Sequence, residues 1–135
     1  MNYQIVLLPG DGIGPEVVGQ AVRVLDVVAR AAGFTFETST HLIGGCSIDQ
    51  YGSALTAETL SACQKAEAVL LGAVGGPKWD NPDAAVRPEQ GLLALRKGLG
   101  VFANLRPVKV HPALVDASPL KPEKLAGVDM IVAAA

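Results

Sequence analysis

Short apolar runs alternate along the chain with longer segments in which apolar residues recur at helical spacing. A buried strand is predicted at Gln4–Leu8, a further strand at Phe34–Ser39 and another buried strand at Ala68–Leu71. A helix is predicted between the first two, because Pro15 suits a first helical position and Gly33 suits the position after the last. The apolar stripe of this helix consists of Val18, Ala21, Val22, Leu25, Val28, Ala29 and Ala32.

The same alternation continues to the end of the chain. Thr56 can cap a helix that runs to Lys65, and Pro88 can open another that runs to about Gly98. Two more strands are predicted, at Phe102–Val110 and Val128–Val132. Because strands alternate with helices, the sequence predicts an α/β fold with a mainly parallel sheet flanked by helices.

Composition excludes several classes of protein. Half of the 135 residues are apolar and 18% are charged, which excludes a disordered tail. The net charge of −2 argues against a general nucleic-acid binder, and no apolar run is long enough to span a membrane. Cys46 and Cys63 have no CxxC partner, which is typical of buried free thiols in a reducing compartment. A cytoplasmic location is therefore expected, with an organelle lumen as the alternative.

Positive charge is concentrated in one short segment. Residues 1–86 carry a net charge of −5, whereas residues 87–109 carry +4. A short basic segment in an acidic chain suits a small anion better than a polyanion. Within it, Arg106 lies in an apolar predicted strand beside Pro107, where a buried guanidinium requires an acidic partner or an anionic ligand.

A glycine-rich turn, Gly10–Glu16, follows the first predicted strand and precedes a helix. Such a turn can bind a dinucleotide, and Glu37 lies near the place of a ribose-binding acid. The fingerprint fails, however, because Pro15 occupies the position of its last glycine, and Asp11 would repel a pyrophosphate. A purely structural turn is the other interpretation of this motif.

Two further segments could form a site. The glycine-rich segment Gly72–Asp80 follows a strand and continues to Arg87, a length that favours a ligand-binding loop over a plain surface loop. On the helix from Pro88, one side presents a carboxylate, two leucines and a guanidinium, from Glu89, Leu92, Leu93 and Arg96. The same spacing is also typical of an ordinary core face, and the pattern alone does not separate the two interpretations.

Taken in order, four motifs resemble the β-decarboxylating dehydrogenases, the family of isopropylmalate, isocitrate, homoisocitrate and tartrate dehydrogenases. They are Leu8–Glu16, Gly72–Asp80, Arg87–Leu93 and Leu105–Pro107. The resemblance implies that residues 1–100 are the amino-terminal part of a larger cofactor-binding domain. It implies that residues 101–135 begin a second, dimer-forming domain.

Within this family, the apolar pair in Glu89–Leu93 resembles the isopropylmalate-type members of leucine biosynthesis. The resemblance implies oxidative decarboxylation of 3-isopropylmalate to 4-methyl-2-oxopentanoate, with NAD as oxidant and Mg²⁺ or Mn²⁺ as metal, in a homodimeric cytoplasmic enzyme. Arg96 and Arg106 would hold the carboxylates of this dicarboxylate substrate, and Glu89, Leu92 and Leu93 would face its isopropyl group. The implied cofactor residues are Ile13, Gly75, Gly76, Pro77, Lys78 and Glu89.

The chain also departs from the family pattern. The family's catalytic tyrosine and lysine and its metal-binding aspartates have no counterpart in these residues, so no catalytic or metal-binding residue is predicted here. Ala133–Ala135 stand where the family has an apolar residue followed by Arg-Glu. We therefore expect an amino-terminal part of an enzyme that is inactive alone. The alternatives are a non-catalytic folding or assembly module, a non-catalytic anion-binding domain, and a related isocitrate- or tartrate-type dehydrogenase.

Overall fold

The computed structural model of the chain describes residues 1–81 and 83–134. These residues divide into two units, a first of Met1–Gly100 and a second that begins at Val101. The first unit contains, in order, β1 (Asn2–Gly10), α1 (Gly14–Ala32), β2 (Thr35–Thr40), α2 (Gly45–Tyr51), α3 (Ala57–Lys65), β3 (Ala68–Ala73), a 3₁₀ turn (Pro77–Trp79) and α4 (Pro88–Leu99).

The three strands of the first unit form a parallel sheet in the order β2-β1-β3, with helices on both faces. Side chains of β1 alternate between two apolar clusters, as the pleat of a strand requires. Ile5 and Leu7 pack with Val18 of α1, whereas Val6 and Leu8 pack with Leu95 of α4 and with α3. The predicted α/β fold with a parallel sheet flanked by helices is confirmed.

The capping residues explain where the helices begin and end. Pro15 lies in the first turn of α1, and Gly33 follows its last residue with a left-handed φ of 74°, donating its N–H to Ala29. At α3, Thr56 Oγ1 accepts the N–H of Thr59. The predicted apolar stripe of α1 is only partly buried, since Val28 is 48% exposed.

Parallel strands direct the loops that follow them to one edge of the sheet. Gly10, at the end of β1, pairs in register with Ala73, at the end of β3. The Gly10–Ile13 turn and the segment after β3 therefore leave the sheet side by side. This carboxyl edge is where the sequence places two of its glycine-rich motifs.

The second unit is built differently. It contains β4 (Asn104–Lys109), a 3₁₀ segment (Pro112–Ala117), α5 (Pro122–Leu125) and β5 (Asp129–Ala134). β4 and β5 pair antiparallel, with Arg106 opposite Val132. β4 lies within its predicted range, and β5 overlaps its predicted range and extends to Ala134. The expected parallel arrangement holds only for the first unit. Among the described residues, no helix is long and apolar enough to cross a membrane.

Candidate functional site

Asp11 organises the carboxyl edge of the sheet. Its side chain is buried, at 4% exposure, and accepts three backbone hydrogen bonds. Oδ2 accepts from Gly45 at 2.7 Å and from Gly75 at 2.8 Å, and Oδ1 accepts from Cys46 at 2.7 Å. The carboxylate thus joins the β1 turn, the start of α2 and the loop after β3.

Asp11 gives the Gly10–Glu16 turn a structural role. Its carboxylate is hydrogen-bonded to three of the protein's own amides and so holds the turn against two other segments. The carboxylate of Glu37 is used within the sheet, where it accepts from Asn2 and Gln4 on the neighbouring strand. These hydrogen bonds, first that from Gln4, lower the pKa of Glu37.

Cys46 lies beside Asp11 but is only half-buried, whereas Cys63 is buried, so the expectation of two buried free thiols is correct for Cys63 alone. Burial raises the pKa of the Cys46 thiol, and the nearby Asp11 charge raises it further. Burial likewise raises the pKa of Cys63. Both thiols are therefore poor nucleophiles at neutral pH.

The predicted loop after β3 contains the 3₁₀ turn Pro77–Trp79, whose two last residues bind one carboxylate. Lys78 Nζ lies 2.5 Å from Asp49 Oδ2, and Trp79 Nε1 donates to Asp49 Oδ1 at 3.2 Å. The hydrogen bond from Lys78 is the main cause of a lowered pKa at Asp49. The half-buried indole of Trp79 covers Gly45, where an added Cβ would meet the ring at 2.4 Å.

Several predicted cofactor residues lie close to this loop. Gly75 has a left-handed φ of 96°, and a Cβ placed there would be 3.1 Å from Glu89 Oε1. Gly76 and Pro77 follow it with exposed surfaces. The structure therefore brings the Gly75–Lys78 turn and Glu89 together. Ile13 is 59% exposed, in the turn that Asp11 anchors.

The predicted substrate face of α4 is turned away from the core. The residues that α4 buries are Pro88, Gly91 and Leu95. Leu93 is instead 62% exposed, Leu92 is half-buried, and Glu89 and Arg96 are exposed. For Leu93 and Arg96 the core-face interpretation is therefore wrong, and α4 presents an open surface of mixed apolar and charged chemistry.

Arg106 does not lie as predicted. The sequence indicated a buried guanidinium, but Arg106 is exposed on β4 and its Nε is 3.5 Å from Asn104 Oδ1. The physical reason is that β4 belongs to a two-stranded ribbon, which leaves side chains of both faces open to solvent. Pro82 and Ala135 lie outside the described residues.

Sequence reasoning missed the adjacent glycines 44 and 45, which make the junction possible. A Cβ on Gly44 would lie 2.5 Å from Asp11 Oδ2, and a Cβ on Gly45 would enter the Trp79 ring. It also missed α2, whose residue Asp49 holds the loop. The pair of glycines after Leu42-Ile43 was the available signal, since paired glycines indicate close approach of other groups.

Comparison with known proteins gives concordant results. A model of the isocitrate/isopropylmalate dehydrogenase family matches residues 4–134. The chain is 70% identical over 132 residues to a 3-isopropylmalate dehydrogenase of Anaeromyxobacter dehalogenans, which covers 98% of the chain and 37% of that relative. It is 58% identical to a 3-isopropylmalate dehydrogenase of Rhodopirellula baltica, over 97% of the chain and 36% of the relative.

Solved structures show the same similarity. A β-decarboxylating dehydrogenase of Thermococcus kodakarensis, in its apo form, superposes with a TM-score of 0.65 at 30% identity, over 97% of this chain and 33% of that one. An isocitrate dehydrogenase of Methylococcus capsulatus superposes with a TM-score of 0.61 at 28% identity, over 79% and 29%. The chain thus spans a little over a third of the length of the curated relatives described above.

Proposed function

Because the chain belongs to the isocitrate/isopropylmalate dehydrogenase family, we propose that it forms part of an NAD-dependent enzyme that converts 3-isopropylmalate to 4-methyl-2-oxopentanoate. The reaction removes a hydride from the carbon that carries the hydroxyl group and a proton from the hydroxyl oxygen, which leaves a ketone. The carboxylate of the neighbouring carbon then leaves as CO₂ and is replaced by a proton. The observation that carries the proposal is the open face of α4, which presents Leu93 and Arg96 outward and Glu89 beside the Gly75 turn.

The substrate end of the proposed site uses complementary chemistry. The exposed guanidinium of Arg96 can bind a carboxylate through two parallel N–H bonds. One helical turn earlier, Leu92 and Leu93 offer apolar surface to the isopropyl group, where a second carboxylate would be unfavourable. Arg106, in the second unit, is also a proposed carboxylate ligand.

The cofactor end uses a turn with little side-chain bulk. Bound NAD supplies the hydride acceptor. Gly75 and Gly76 have no side chains, which lets a flat or phosphorylated group approach the backbone closely. Pro77 fixes the turn, and Ile13 and Glu89 line the proposed site. Lys78, which follows the turn, belongs to the site through its effect on the turn. The exposed backbone at Gly76 and the open space around Ile13 fit such a group.

The described residues do not supply a metal centre. In residues 1–81 and 83–134, no three His, Cys, Asp or Glu side chains gather in a group that could hold a metal ion. No step of the proposal therefore runs through metal ligands of these residues. That Mg²⁺ or Mn²⁺ is held by residues outside them stays a prediction.

Homodimer formation is part of the proposal. The second unit exposes large apolar side chains, with Phe102 at 87%, Leu105 at 64% and Ile131 at 66% exposure. Apolar surface of this extent on a two-stranded ribbon is typical of an element that pairs with another subunit. A cytoplasmic location also belongs to the proposal.

Replacement of Arg96 tests the function. In a complete dehydrogenase that contains these residues, Arg96→Ala should lower kcat/KM for 3-isopropylmalate. The expected loss of transition-state stabilisation is about 2–4 kcal/mol. Lys97→Ala is the matched control, because it removes a neighbouring exposed cation that points from a different side of α4. Equal, small effects of both replacements would contradict the proposed substrate face.

A further inference from the structure

Asp49 is the one side chain of α2 that binds two consecutive residues of the cofactor loop. One carboxylate oxygen is 2.5 Å from Lys78 Nζ, and the other accepts the indole N–H of Trp79 at 3.2 Å. Both oxygens are thus used within the protein. The bonds span 29 and 30 residues of sequence, so they tie the loop to a separate element of the fold.

The loop is also tied to α2 at its other end. The amide of Gly75 and the amide of Gly45 share Asp11 Oδ2. The indole of Trp79 lies against Gly45, at a distance that leaves no room for a Cβ. The Gly75–Gly76 turn is therefore attached to α2 at both ends. Before the turn, Asp11 joins Gly75 to Gly45, and after it, Asp49 binds Lys78 and Trp79.

The charge of Lys78 already interacts with two groups of the protein. Its ammonium group is paired with Asp49 and lies 5.2 Å from the centroid of the Trp79 ring, a cation–π distance. A cofactor phosphate could recruit this ammonium group only by competing with Asp49. The partners of Asp49 are the side chains of Lys78 and Trp79, so it does not occupy the backbone of Gly75 and Gly76.

Resting on the function proposed above, we propose that Asp49 is a positioning residue of the cofactor site. It holds Lys78 and Trp79 so that the Gly75–Gly76 turn has its binding conformation before the cofactor arrives. Lys78 acts through Asp49 and does not ligate the cofactor. A half-exposed ion pair adds little to global stability. Asp49 therefore acts mainly by keeping the Gly75–Gly76 turn in one conformation.

The first measurement concerns the loop itself and does not depend on the proposed function. Trp79 is the single tryptophan of the chain, so tryptophan emission reports the loop alone. In the 135-residue chain, Asp49→Ala should shift Trp79 emission to longer wavelength and make acrylamide quenching about twofold more efficient. Asp26→Ala, which removes an exposed aspartate of α1, should change neither quantity.

The second measurement concerns cofactor binding in a complete dehydrogenase that contains these residues. Asp49→Ala should raise KM for NAD about three- to tenfold with less than a twofold change in kcat, because the turn must be ordered on binding. Asp49→Asn, which can still accept the indole N–H, should have a smaller effect. Lys78→Met should raise KM similarly, and the double variant should be no worse than either single one.

The outcomes separate the proposals. Additive effects of Asp49→Ala and Lys78→Met would show that Lys78 contacts the cofactor independently, and would overturn the inference. An unchanged KM for NAD together with altered Trp79 emission would also overturn it, because the loop would then move without consequence for the cofactor. Absence of NAD-dependent activity in the unmodified enzyme would instead refute the proposed function, and the inference with it.

Discussion

Replacement of Asp11 by asparagine is the most informative test of how the carboxyl edge is built. The side chains have the same shape, but the amide has one acceptor oxygen where the carboxylate has two. Its oxygen can keep the bonds that Oδ2 makes to Gly45 and Gly75. Its NH₂ group then faces the N–H of Cys46, which is 2.7 Å from Oδ1, so two donors oppose each other.

The cost follows from these contacts. One buried donor loses its acceptor, and two remaining bonds lose the assistance of the negative charge. We expect Asp11→Asn to lower the free energy of unfolding of the first unit by about 2–4 kcal/mol. Asp26→Asn makes the same chemical change at an exposed position of α1 and should cost less than about 0.5 kcal/mol.

Urea titration followed by Trp79 emission measures both values, since Trp79 packs against Gly45 at this junction. The slopes of the unfolding transitions should agree between the variants. If Asp11→Asn destabilises no more than Asp26→Asn, the three hydrogen bonds do not hold the loops together and the description of the junction is incorrect.

The remaining predictions concern separate features. Thr56→Ala should cost about 1 kcal/mol of stability in the same urea assay, because the Thr59 N–H loses its cap; no change would show that the cap is not formed. Because the pKa of Asp49 is lowered in the folded state, the stabilisation from its bonds is complete above the unfolded-state pKa and is lost as pH falls through the folded-state pKa. Trp79 emission should therefore change only below the ordinary aspartate range, and Lys78→Met should move the midpoint upward; a midpoint that Lys78→Met leaves in place would contradict the assigned cause. The 135-residue chain supplied with NAD, Mg²⁺ and 3-isopropylmalate should produce no NADH, because the described residues form no metal centre; steady turnover would contradict this assignment of the chemistry.

The sequence was sufficient for the features that depend on near neighbours. Thr56 and Gly33 act on helix ends within four residues of themselves, and local rules of capping predicted both. The alternation of strands and helices likewise predicted the parallel sheet. Helix α2 was missed because its seven residues, Gly45–Tyr51, are too few and too polar to show a helical apolar period.

Features that depend on distant contacts could not be predicted in the same way. Asp11 looked repulsive toward an anion, yet the partners that explain it are three backbone amides 34 to 64 residues away. Arg106 looked buried because its neighbours are apolar, but burial depends on what covers the ribbon and not on the strand's own composition. The open side of α4 is a third case, since the spacing of Glu89, Leu92, Leu93 and Arg96 suited a core face equally well.

The proposed function requires that the open face of α4 recognise an isopropyl-bearing malate. The most direct measurement is the ratio of kcat/KM for 3-isopropylmalate to kcat/KM for malate, in a complete dehydrogenase that contains these residues, before and after Leu92 and Leu93 are replaced by asparagine. We expect the ratio to fall by about tenfold or more, since each leucine contributes on the order of 1 kcal/mol of contact with the isopropyl group alone. An equal loss on both substrates would leave the ratio unchanged and would contradict the claim.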